Sequence, residues 1–579
     1  MTSKWNFQNP TKEELDRKDI LAKELGINPI IALLLVKRGI VTKKEAEEYF
    51  TPKLSDLHDP FLMPDMDKAV ERLNKALRGP EKILIYGDYD VDGTTAVALV
   101  YKYLLQLVGS SYLGYYIPNR DDEGYGISYK GIDYAEENDF KLIISLDCGI
   151  KAIKKIDYAK KKGIDFIICD HHMPDAELPD AVAVLDAKRL DSKYPYDHLS
   201  GCGVGFKFMQ ALAMNNGFPS AELEKLLDLV AVSIASDIVP ITGENRILAY
   251  HGLKQLNTAN SNYGLKGIID ICGLTKKEIT ISDIVLKIGP RINASGRMMN
   301  GKEAVELLLS NNISQAKERS ESINQHNDDR RELDKKTTNE ANAIIENIEN
   351  IEDRKAIIVY SPEWHKGVIG IVASRLTEKY YRPAVVLTKS SELITGSARS
   401  VTGFDIYKAI ENCRDLLENF GGHTYAAGLS LREDNLDVFI ERFSKLAAEE
   451  IISEQMTPQI DIDATLDFKD VNVKFMSDLK KMNPFGPDNP KPIFATSGVK
   501  DYGTSKLVGR ELEHIKLEMI DGKSTSPMHG IAFGMSEYKD YIKEMKHFDI
   551  CYTLEENTHN GNTSLQLTVK EIKTDGDSQ

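Results

Sequence analysis

Two adjacent histidines close the tetrad Cys169-Asp170-His171-His172, which follows the apolar run 164–168. An apolar strand with this ending delivers a carboxylate and two imidazoles to the carboxyl edge of a sheet, where open α/β folds bind their ligands. Imidazole is a ligand of manganese, zinc and iron, and carboxylate is a ligand of magnesium and manganese. An isolated histidine pair more often bonds to backbone groups in a loop. The metal interpretation therefore depends on what ends the other strands.

Three alternating aspartates, Asp88, Asp90 and Asp92, follow a second apolar run, 83–86, and precede a helix start at Gly93. Alternate residues of an extended segment project to one side, so the three carboxylates are predicted to converge. Because close carboxylates repel and raise one another's pKa, a divalent cation is the natural resolution. A calcium-binding loop is excluded, since no bidentate acid closes the segment.

Two more apolar runs end in aspartate. Residues 142–146 precede Asp147, and residues 229–235 lead to Ser236 and Asp237; the second run is compatible with a helix as well as a strand. A single aspartate beside an apolar stretch is most often a helix cap. Four acidic or histidine-bearing endings in one alternating array instead predict a cluster at one edge of a sheet.

These segments resemble the successive motifs of the DHH phosphoesterase superfamily. The matching segments are 87–93, 146–149, 170–172 and 236–237. Further segments are similar to its single-strand-specific exonuclease branch, RecJ: 117–120 with 124–126, 289–297 and 364–374. Segments 396–400 and 421–423 resemble the accessory DHHA1 domain of that branch. The resemblance covers most of the chain.

The resemblance implies two divalent cations, Mn²⁺ or Mg²⁺, about 3.5 to 4 Å apart, with Asp147 between them. Asp90 and Asp147 would hold one cation. The other would be held by Asp92, Asp147, His171 and Asp237. Asp88 either completes the first site or supports it from behind. Small-substrate phosphatases of the superfamily carry a histidine where Tyr86 stands, which favours the exonuclease branch.

His172, like Asp88, is assigned to catalysis, and two roles remain open for it. In an extended segment its ring points away from His171, where it would donate a hydrogen bond to the scissile phosphate or the leaving oxygen. The alternative is that His172 only orients a neighbouring ligand.

Phosphate binding is predicted for a separate set of donors and glycines: Arg120, Arg291, Asn293, Ser397, Arg399, Gly421, Gly422 and His423. Arginine offers a planar fork that suits phosphate. The helix start near Val368 offers backbone amides, and Gly367 and Gly370 permit close approach. We expect these groups to bind the 5′-terminal side of a strand with little regard to base sequence.

The elements that position these residues predict an α/β class: a mainly parallel sheet, a second α/β lobe joined by a long helix, and a small C-terminal β-barrel of five or six strands. The resemblance implies that these are a DHH domain, a DHHA1 lobe and an OB-type domain. Candidate barrel contacts are Phe494, Tyr502, Lys506 and Arg510, although such aromatics are usually core. The predicted limits are 1–55 for an N-terminal helical segment, 56–305 for the DHH domain, 306–350 for the connecting helix, 351–452 for DHHA1, 453–572 for the OB-type domain and 573–579 for a disordered tail.

Composition and charge restrict the number of domains, the cellular compartment and the mode of DNA binding that we expect. A chain of 579 residues should hold several domains, because single cores seldom exceed about 250 to 300 residues. Six cysteines without paired spacing, no signal-peptide core and no long apolar stretch predict a soluble cytoplasmic protein without membrane contact. A net charge of −16 argues against extensive, sequence-independent binding of duplex DNA. It favours entry of the substrate into a narrow, locally basic channel.

The predicted function is a metal-dependent 5′–3′ exonuclease that hydrolyses single-stranded DNA to 5′-mononucleotides in recombination and repair. By resemblance, a helicase and a single-strand-binding protein are its partners. One alternative is a phosphodiesterase for short oligonucleotides or cyclic dinucleotides, which has no use for a polymer-binding barrel. The other is a non-catalytic DNA-binding scaffold, which is disfavoured because every proposed ligand is present.

Overall fold

The computed structural model describes residues 3–120, 122–298, 300–348, 351–524, 526–559 and 562–574. The chain divides into two units. The first comprises Met1–Glu47, Arg331–Lys481 and Lys491–Gln579, and the second comprises Glu48–Arg330 and Met482–Pro490. Among the described helices, none combines the length and the apolar character needed to cross a bilayer.

The N-terminal segment contains one strand and three helices: β1 (Lys4–Phe7), α1 (Lys12–Leu25), α2 (Pro29–Val36) and α3 (Lys43–Phe50). The Thr11 hydroxyl accepts from the Glu14 amide, and the Glu14 side chain accepts from the Thr11 amide, which together form a capping box at the start of α1. Strand β1 was not predicted, because four residues are too few to show a period. It runs parallel to a C-terminal strand, with Trp5 opposite Ile460.

A five-stranded parallel sheet organises the second unit, as predicted. Its strands are β2 (Lys82–Gly87), β3 (Leu113–Tyr116), β4 (Phe140–Leu146), β5 (Asp165–Cys169) and β6 (Ala183–Leu185), in the order β3-β2-β4-β5-β6. Ile83 and Ile85 enter one buried cluster and Leu84 and Tyr86 enter the other. Burial on both faces explains why these strands read as continuous apolar runs.

Twelve described helices surround this sheet or extend from it. They are α4 (Met66–Arg78), α5 (Val91–Val108), α6 (Tyr129–Glu137), α7 (Ile153–Lys161), α8 (Gly201–Asn216), α9 (Ser220–Glu224), α10 (Leu227–Ser236), α11 (Gly243–Leu256), α12 (Tyr263–Ile271), α13 (Ile281–Asp283), α14 (Gly289–Met298) and α15 (Lys302–Leu308). The run before Asp237, which was compatible with strand or helix, is therefore helix α10. It is apolar on all sides because almost all of it is buried.

The predicted long helix is present as α16 (Ile313–Glu346), with 34 residues. Of its sparse apolar positions, Ala316, Ile323, Ala341 and Ile345 are buried, Leu333 is partly buried and Ile344 is exposed. The border between the two units, after Arg330, falls inside this helix.

A second, mixed sheet lies in the first unit. Its elements are β7 (Ile357–Tyr360), α17 (Ile369–Tyr380), β8 (Ala384–Ser390), β9 (Leu393–Arg399), α18 (Ile406–Glu411), β10 (Leu417–His423), β11 (Ala426–Leu431) and α19 (Leu436–Glu450). The strand order is β10-β11-β9-β8-β7, and only β7 and β8 are parallel. Helix α17 packs on β8 and β9, so that its first turn meets the end of β9.

The C-terminal region is mainly strand. It contains β12 (Gln459–Ile462), β13 (Ala464–Thr465), α20 (Val473–Lys480), β14 (Phe494–Asp501), β15 (Lys506–Val508), β16 (His514–Ile520), β17 (Met528–Ala532), α21 (Lys539–Lys543), β18 (Phe548–His559) and β19 (Asn562–Lys573). Strands β13 to β19 form one sheet, in which β14 also pairs with β16. Strand β19 was not predicted, although the alternation of Leu565, Leu567 and Val569 was its signal. The predicted tail begins at Lys573, the last residue of β19, and its positions 575–579 lie outside the described residues.

Candidate metal centre and phosphate corner

The three aspartates after β2 are brought together by a strand-to-helix junction. Asp90 is the N-cap of α5, where its Oδ1 accepts from the Gly93 amide at 3.0 Å, and Asp92 lies in the first helical turn. The prediction that strand pleating aligns the three was therefore wrong, because the chain leaves the sheet at Gly87. The turn needs glycine at 93, since a Cβ there would lie 2.5 Å from the Asp88 carbonyl oxygen.

Asp92 is fixed by residues that are remote in sequence. Its two oxygens accept from the amides of Gly201 at 2.6 Å and Cys202 at 2.7 Å, and from the Ser233 hydroxyl at 2.7 Å. The two amides belong to the first turn of α8, where the helix dipole favours a carboxylate. A carboxylate has about four lone-pair sites, so Asp92 retains the capacity to bind a cation.

His171 faces three carboxylates. Its Nε2 lies 3.1 Å from Asp147 Oδ1, 3.6 Å from Asp237 Oδ2 and 3.7 Å from Asp92 Oδ2. Both His171 Nε2 and Asp147 Oδ1 are buried and have no hydrogen-bond partner within the described part of the chain. Buried polar atoms without partners are costly, and a cation between them would satisfy all of these groups.

The pKa shifts of the aspartates and of His171 also indicate a cation site. Burial raises the pKa of Asp88, Asp90, Asp147 and Asp237, and the charges of neighbouring aspartates raise these pKa values further. The pKa of Asp237 reaches about 8. Burial also lowers the pKa of His171. A divalent cation reverses this preference for the neutral carboxyl form. The residues thus fit a metal centre, here called the metal cluster: Asp88, Asp90, Asp92, Asp147, His171 and Asp237.

His172 lies beside the cluster and does not point away from His171. The two ring centroids are 4.6 Å apart, and His172 Nδ1 is 2.7 Å from Asp170 Oδ1. The segment turns after β5 because Asp170 also accepts from the amides of His171 and Ile150. Burial opposes ionisation of both partners, but their hydrogen bond and opposite charges lower the pKa of Asp170 to about 2 and raise the pKa of His172 to about 9.

Sequence reasoning did not assign roles to Asp170, Tyr125 or Tyr86. The Tyr125 hydroxyl donates to the Asp147 carbonyl at 3.1 Å and lies 3.2 Å from His172 Nε2. The Tyr86 hydroxyl donates to the Gly126 carbonyl at 3.0 Å and accepts from the Ser128 amide at 3.1 Å. Tyr86 therefore anchors the loop that carries Tyr125. The available signals were that Tyr125 and Asp170 lie within recognised motifs and that Tyr86 directly precedes one.

The predicted phosphate contacts of the second unit already have protein partners. The exposed Arg120 stacks over the Tyr89 ring at 5.4 Å. Arg291 donates to Asn324 Oδ1 and to the Lys287 carbonyl. Asn293 Oδ1 accepts from the Val91 amide at 3.1 Å, so it caps the helix that begins after Asp90.

The predicted residues of the second lobe meet at one corner of its sheet, here called the phosphate corner: Gly370, Ser397, Arg399, Gly421, Gly422 and His423. Arg399 Nη1 donates to Ser397 Oγ at 3.1 Å. A Cβ on Gly370, in the first turn of α17, would lie 3.1 Å from Ser397 Oγ and 3.2 Å from Arg399 Nη2.

Strand register completes this corner. Arg399 is opposite Ala426, which is opposite His423, and Ser397 is opposite Gly428, which is opposite Gly421. Directly opposed residues share a face of the sheet, so His423 and Arg399 project to the same side. Burial of the Arg399 guanidinium lowers its pKa below the usual value. The diglycine of β10 and His423 are exposed.

The candidate contacts of the C-terminal sheet separate into core and surface. Phe494 is fully buried and packs against Phe475 and Tyr552, so it belongs to the core, the second of the two roles considered for it. Tyr502 is half-exposed, and Lys506 and Arg510 are exposed.

Three family models match successive parts of the chain. The DHH family N-terminal domain matches residues 82–234, the DHHA1 domain matches residues 353–449 and the RecJ OB domain matches residues 462–571. The fold and the metal cluster thus define a DHH-type metal-binding protein with a DHHA1 lobe and an OB domain.

Curated relatives identify the family. Single-stranded-DNA-specific exonuclease RecJ of Bacillus subtilis is 35% identical over 573 residues, which are 98% of this chain and 70% of that protein. The protein of the same name from Haemophilus influenzae is 32% identical over 577 residues, which are 97% of this chain and 99% of that protein. The chain belongs to the RecJ family.

Solved structures agree in fold. RecJ of Thermus thermophilus in complex with Mn²⁺ has a TM-score of 0.83 at 25% identity and covers 99% of this chain and 79% of that chain. A manganese-bound exonuclease RecJ has a TM-score of 0.58 at 29% identity and covers 69% of this chain and 99% of that chain. In this chain, one atom from each of Asp92, His171 and Asp237 lies within 4.8 Å of the others, a spacing that can hold such an ion.

Proposed function

We propose that the chain is a metal-dependent exonuclease that degrades single-stranded DNA from the 5′ end and releases 5′-mononucleotides. The observation that carries the chemistry is His171 Nε2, which is buried, lacks a hydrogen-bond partner within the described residues and faces the carboxylates of Asp92, Asp147 and Asp237. Membership of the RecJ family supports single-stranded DNA as the substrate, because the curated relatives carry that specificity in their names.

The metal cluster is proposed to hold two divalent cations, Mn²⁺ or Mg²⁺. Asp90 and Asp147 would hold one, and Asp92, Asp147, His171 and Asp237 would hold the other. When bound, the cations supply charge neutralisation at the phosphate and activation of water. Asp88 would either complete the first site or orient its ligands; its Oδ1 accepts from the Gly126 amide at 3.4 Å, and burial and the charge of neighbouring Asp90 raise its pKa.

His172 is proposed to donate a hydrogen bond to the substrate. Asp170 holds Nδ1 and raises the pKa of the ring, so the ring carries a proton on Nε2 as well. That Nε2–H donates to a phosphate oxygen and stabilises charge as the P–O bond breaks. Tyr125 limits the rotation of the ring, because its hydroxyl lies 3.2 Å from the same nitrogen.

The phosphate corner is proposed to recognise the strand terminus. Ser397, Arg399 and His423, with the amides of Gly421 and Gly422, supply donors to phosphate oxygens. Arg120 and Arg291 are proposed to bind the same 5′-terminal phosphate side of the strand, and Asn293 is assigned to substrate binding. In the C-terminal OB domain, the exposed Tyr502, Lys506 and Arg510 would contact bases and backbone of the following nucleotides.

The remaining assignments follow the family. We propose a cytoplasmic role in DNA recombination and repair, with a helicase and a single-strand-binding protein as partners. We also propose six regions from the sequence: the N-terminal helical segment (1–55), the DHH domain (56–305), its connecting helix (306–350), DHHA1 (351–452), the OB-type domain (453–572) and the tail (573–579).

Digestion of end-labelled DNA tests the proposal. With Mn²⁺ or Mg²⁺, a 5′-labelled single strand should release labelled mononucleotide at once, and a 3′-labelled strand should release its label last. A circular single strand and a blunt duplex should resist. Release of the 3′ label first would contradict the direction. Activity confined to dinucleotides in a length series would instead support the short-substrate phosphodiesterase.

A further inference from the structure

The backbone after Asp237 adopts an unfavourable conformation. Asp237 follows the last residue of α10, and the next residue, Ile238, has a φ of 59°. A β-branched side chain strongly disfavours this left-handed region. The side chain of Ile238 is 62% exposed, so its own packing does not compensate. Contacts on either side of Ile238 must therefore maintain the conformation that places the Asp237 carboxylate in the metal cluster.

The contacts after Ile238 lie two and three residues further along the chain, at Pro240 and Ile241. The Pro240 carbonyl accepts from the Tyr196 hydroxyl at 3.3 Å and from Asn245 Nδ2 at 3.0 Å. The amide of the buried Ile241 donates to the Pro487 carbonyl at 2.8 Å. A Cβ on Gly486 would lie 2.5 Å from Ile241 Cγ1. A segment from the C-terminal part of the sequence thus packs directly on the chain that leaves Asp237.

This segment, Met482–Pro490, belongs to the same unit as the metal cluster, although α20 and β14, which flank it in sequence, belong to the other unit. Its backbone is held by Arg246 of α11, which is only 4% exposed. Arg246 Nη1 donates to the carbonyls of Met482 at 3.0 Å and Pro484 at 3.3 Å, and Nη2 donates to those of Asn483 at 2.8 Å and Tyr49 at 3.0 Å. The planar fork of arginine reaches four acceptors at once, which the single ammonium of lysine does not do.

The segment is also closed upon itself. Gly486 and Asn489 exchange backbone hydrogen bonds of 3.0 and 3.1 Å. Asn489 Nδ2 donates to the Pro484 carbonyl at 2.7 Å, and the Tyr49 hydroxyl donates to Asn489 Oδ1 at 2.8 Å. The Tyr49 ring lies 3.7 Å from the Arg246 guanidinium and so completes the pocket by cation–π stacking.

We propose that Met482–Pro490 is a clamp that positions Asp237 for metal binding, with Arg246, Tyr49 and Gly486 as its positioning residues. The clamp transmits its effect through Pro487 to Ile241 and from there across the strained Ile238. It makes metal affinity at the Asp237 side of the cluster depend on a segment more than 200 residues away in sequence. The inference rests on the proposed metal centre and extends it, because none of these residues touches the cluster.

The clamp is tested by Mn²⁺ binding to the full chain without nucleic acid, with free Mn²⁺ followed by electron paramagnetic resonance. Arg246→Lys should weaken Mn²⁺ binding about tenfold, the usual scale for residues that orient metal ligands. The matched control, Arg78→Lys at the exposed end of α4, should bind like the parent. Exonuclease activity of Arg246→Lys should fall at limiting Mn²⁺ and recover at excess Mn²⁺, which a merely structural defect would not do.

Two further variants keep the clamp testable if Arg246→Lys does not fold. Gly486→Ala places a methyl against Ile241 and should also weaken Mn²⁺ binding. Its control is Gly79→Ala, where the nearest atom to the added Cβ is 3.4 Å away. Tyr49→Phe removes the hydrogen bond to Asn489 but keeps the ring, so about a threefold loss is expected.

Unchanged Mn²⁺ affinity in the folded variants would overturn the clamp, even if their melting temperatures fell. Tyr49→Phe decides the matter if the other two do not fold. Failure of the proposed function is recognised separately. A parent protein that binds Mn²⁺ but cuts no DNA refutes the exonuclease and leaves the clamp standing if the variants still weaken binding.

Discussion

The metal cluster and the phosphate corner use opposite means to prepare a site. In the metal cluster, Asp88, Asp92, Asp147 and His171 are buried, and Asp92 alone accepts three protein hydrogen bonds from remote residues. In the phosphate corner, the diglycine of β10 and His423 are exposed, and the proposed donors are backbone amides and one arginine, Arg399, which donates to Ser397. Buried, like-charged groups suit chemistry that a cation completes, whereas exposed amides suit reversible contact with phosphate. Substitutions should therefore abolish turnover in the first region and weaken substrate binding in the second.

The largest effect is expected for Asp147→Asn. The amide keeps the shape of the side chain but removes the carboxylate proposed to bind both cations, so kcat should fall at least about 10³-fold. Removal of one of several mutually repelling charges should leave the melting temperature of the metal-free protein equal or higher. The control is Asp157→Asn on the exposed face of α7. Near-parent turnover by Asp147→Asn would remove the bridging assignment.

The next effect is expected for His172→Gln. Loss of the proton donor should lower kcat about 10²-fold and leave Mn²⁺ affinity unchanged, because His172 is assigned to the substrate. Single-turnover kinetics and Mn²⁺ titration measure the two quantities. His198→Gln, at an exposed histidine, is the control. If Mn²⁺ affinity fell and kcat recovered at excess metal, His172 would be a ligand.

A smaller effect, on substrate binding and not on turnover, is expected for a substitution in the phosphate corner. Arg399→Lys keeps the charge but loses the fork, so kcat/KM for a 5′-phosphorylated strand should fall about tenfold, with kcat retained at saturating DNA. Arg432→Lys, at the exposed residue that follows the last residue of β11, provides the control. A fall in kcat with unchanged KM would contradict a binding role for Arg399.

The smallest effect concerns stability. In the metal-free protein the pKa of Asp237 is raised to about 8 by burial and neighbouring carboxylates, whereas an exposed aspartate titrates near about 3.9. The folded state therefore retains a proton that the unfolded state loses, and stability falls as the pH rises through that window. The metal-free melting temperature should be lower at about pH 8.5 than at about pH 5. Saturating Mn²⁺ or Asp237→Asn should reduce this slope; a slope unaffected by either would show that Asp237 is not its source.

The local parts of the site were predictable from the sequence. Strands β2, β4 and β5 are buried on both faces, so they appear as unbroken apolar runs, and the polar residues that follow them mark the edge of the sheet. The pattern around Gly93 also indicated a helix start. These features depend only on neighbouring residues.

The remaining features depend on contacts between distant residues. Nothing near Asp92 indicates that the first turn of α8 holds it, and nothing near Asn293 indicates that it caps α5. The direction of the His172 ring follows from three-dimensional contacts of Asp170 with the amide of Ile150. The prediction from strand pleating was wrong for the aspartates after β2 because an extended strand and a capped helix start show the same alternation of polar residues over so few positions.

The most direct measurement is anomalous diffraction from crystals of the full chain soaked in Mn²⁺. Two peaks are predicted, one among Asp92, Asp147, His171 and Asp237 and one between Asp90 and Asp147, and Asp147→Asn should lose at least one of them. A Mn²⁺-saturated crystal with no peak at His171 Nε2 would contradict the proposed metal cluster.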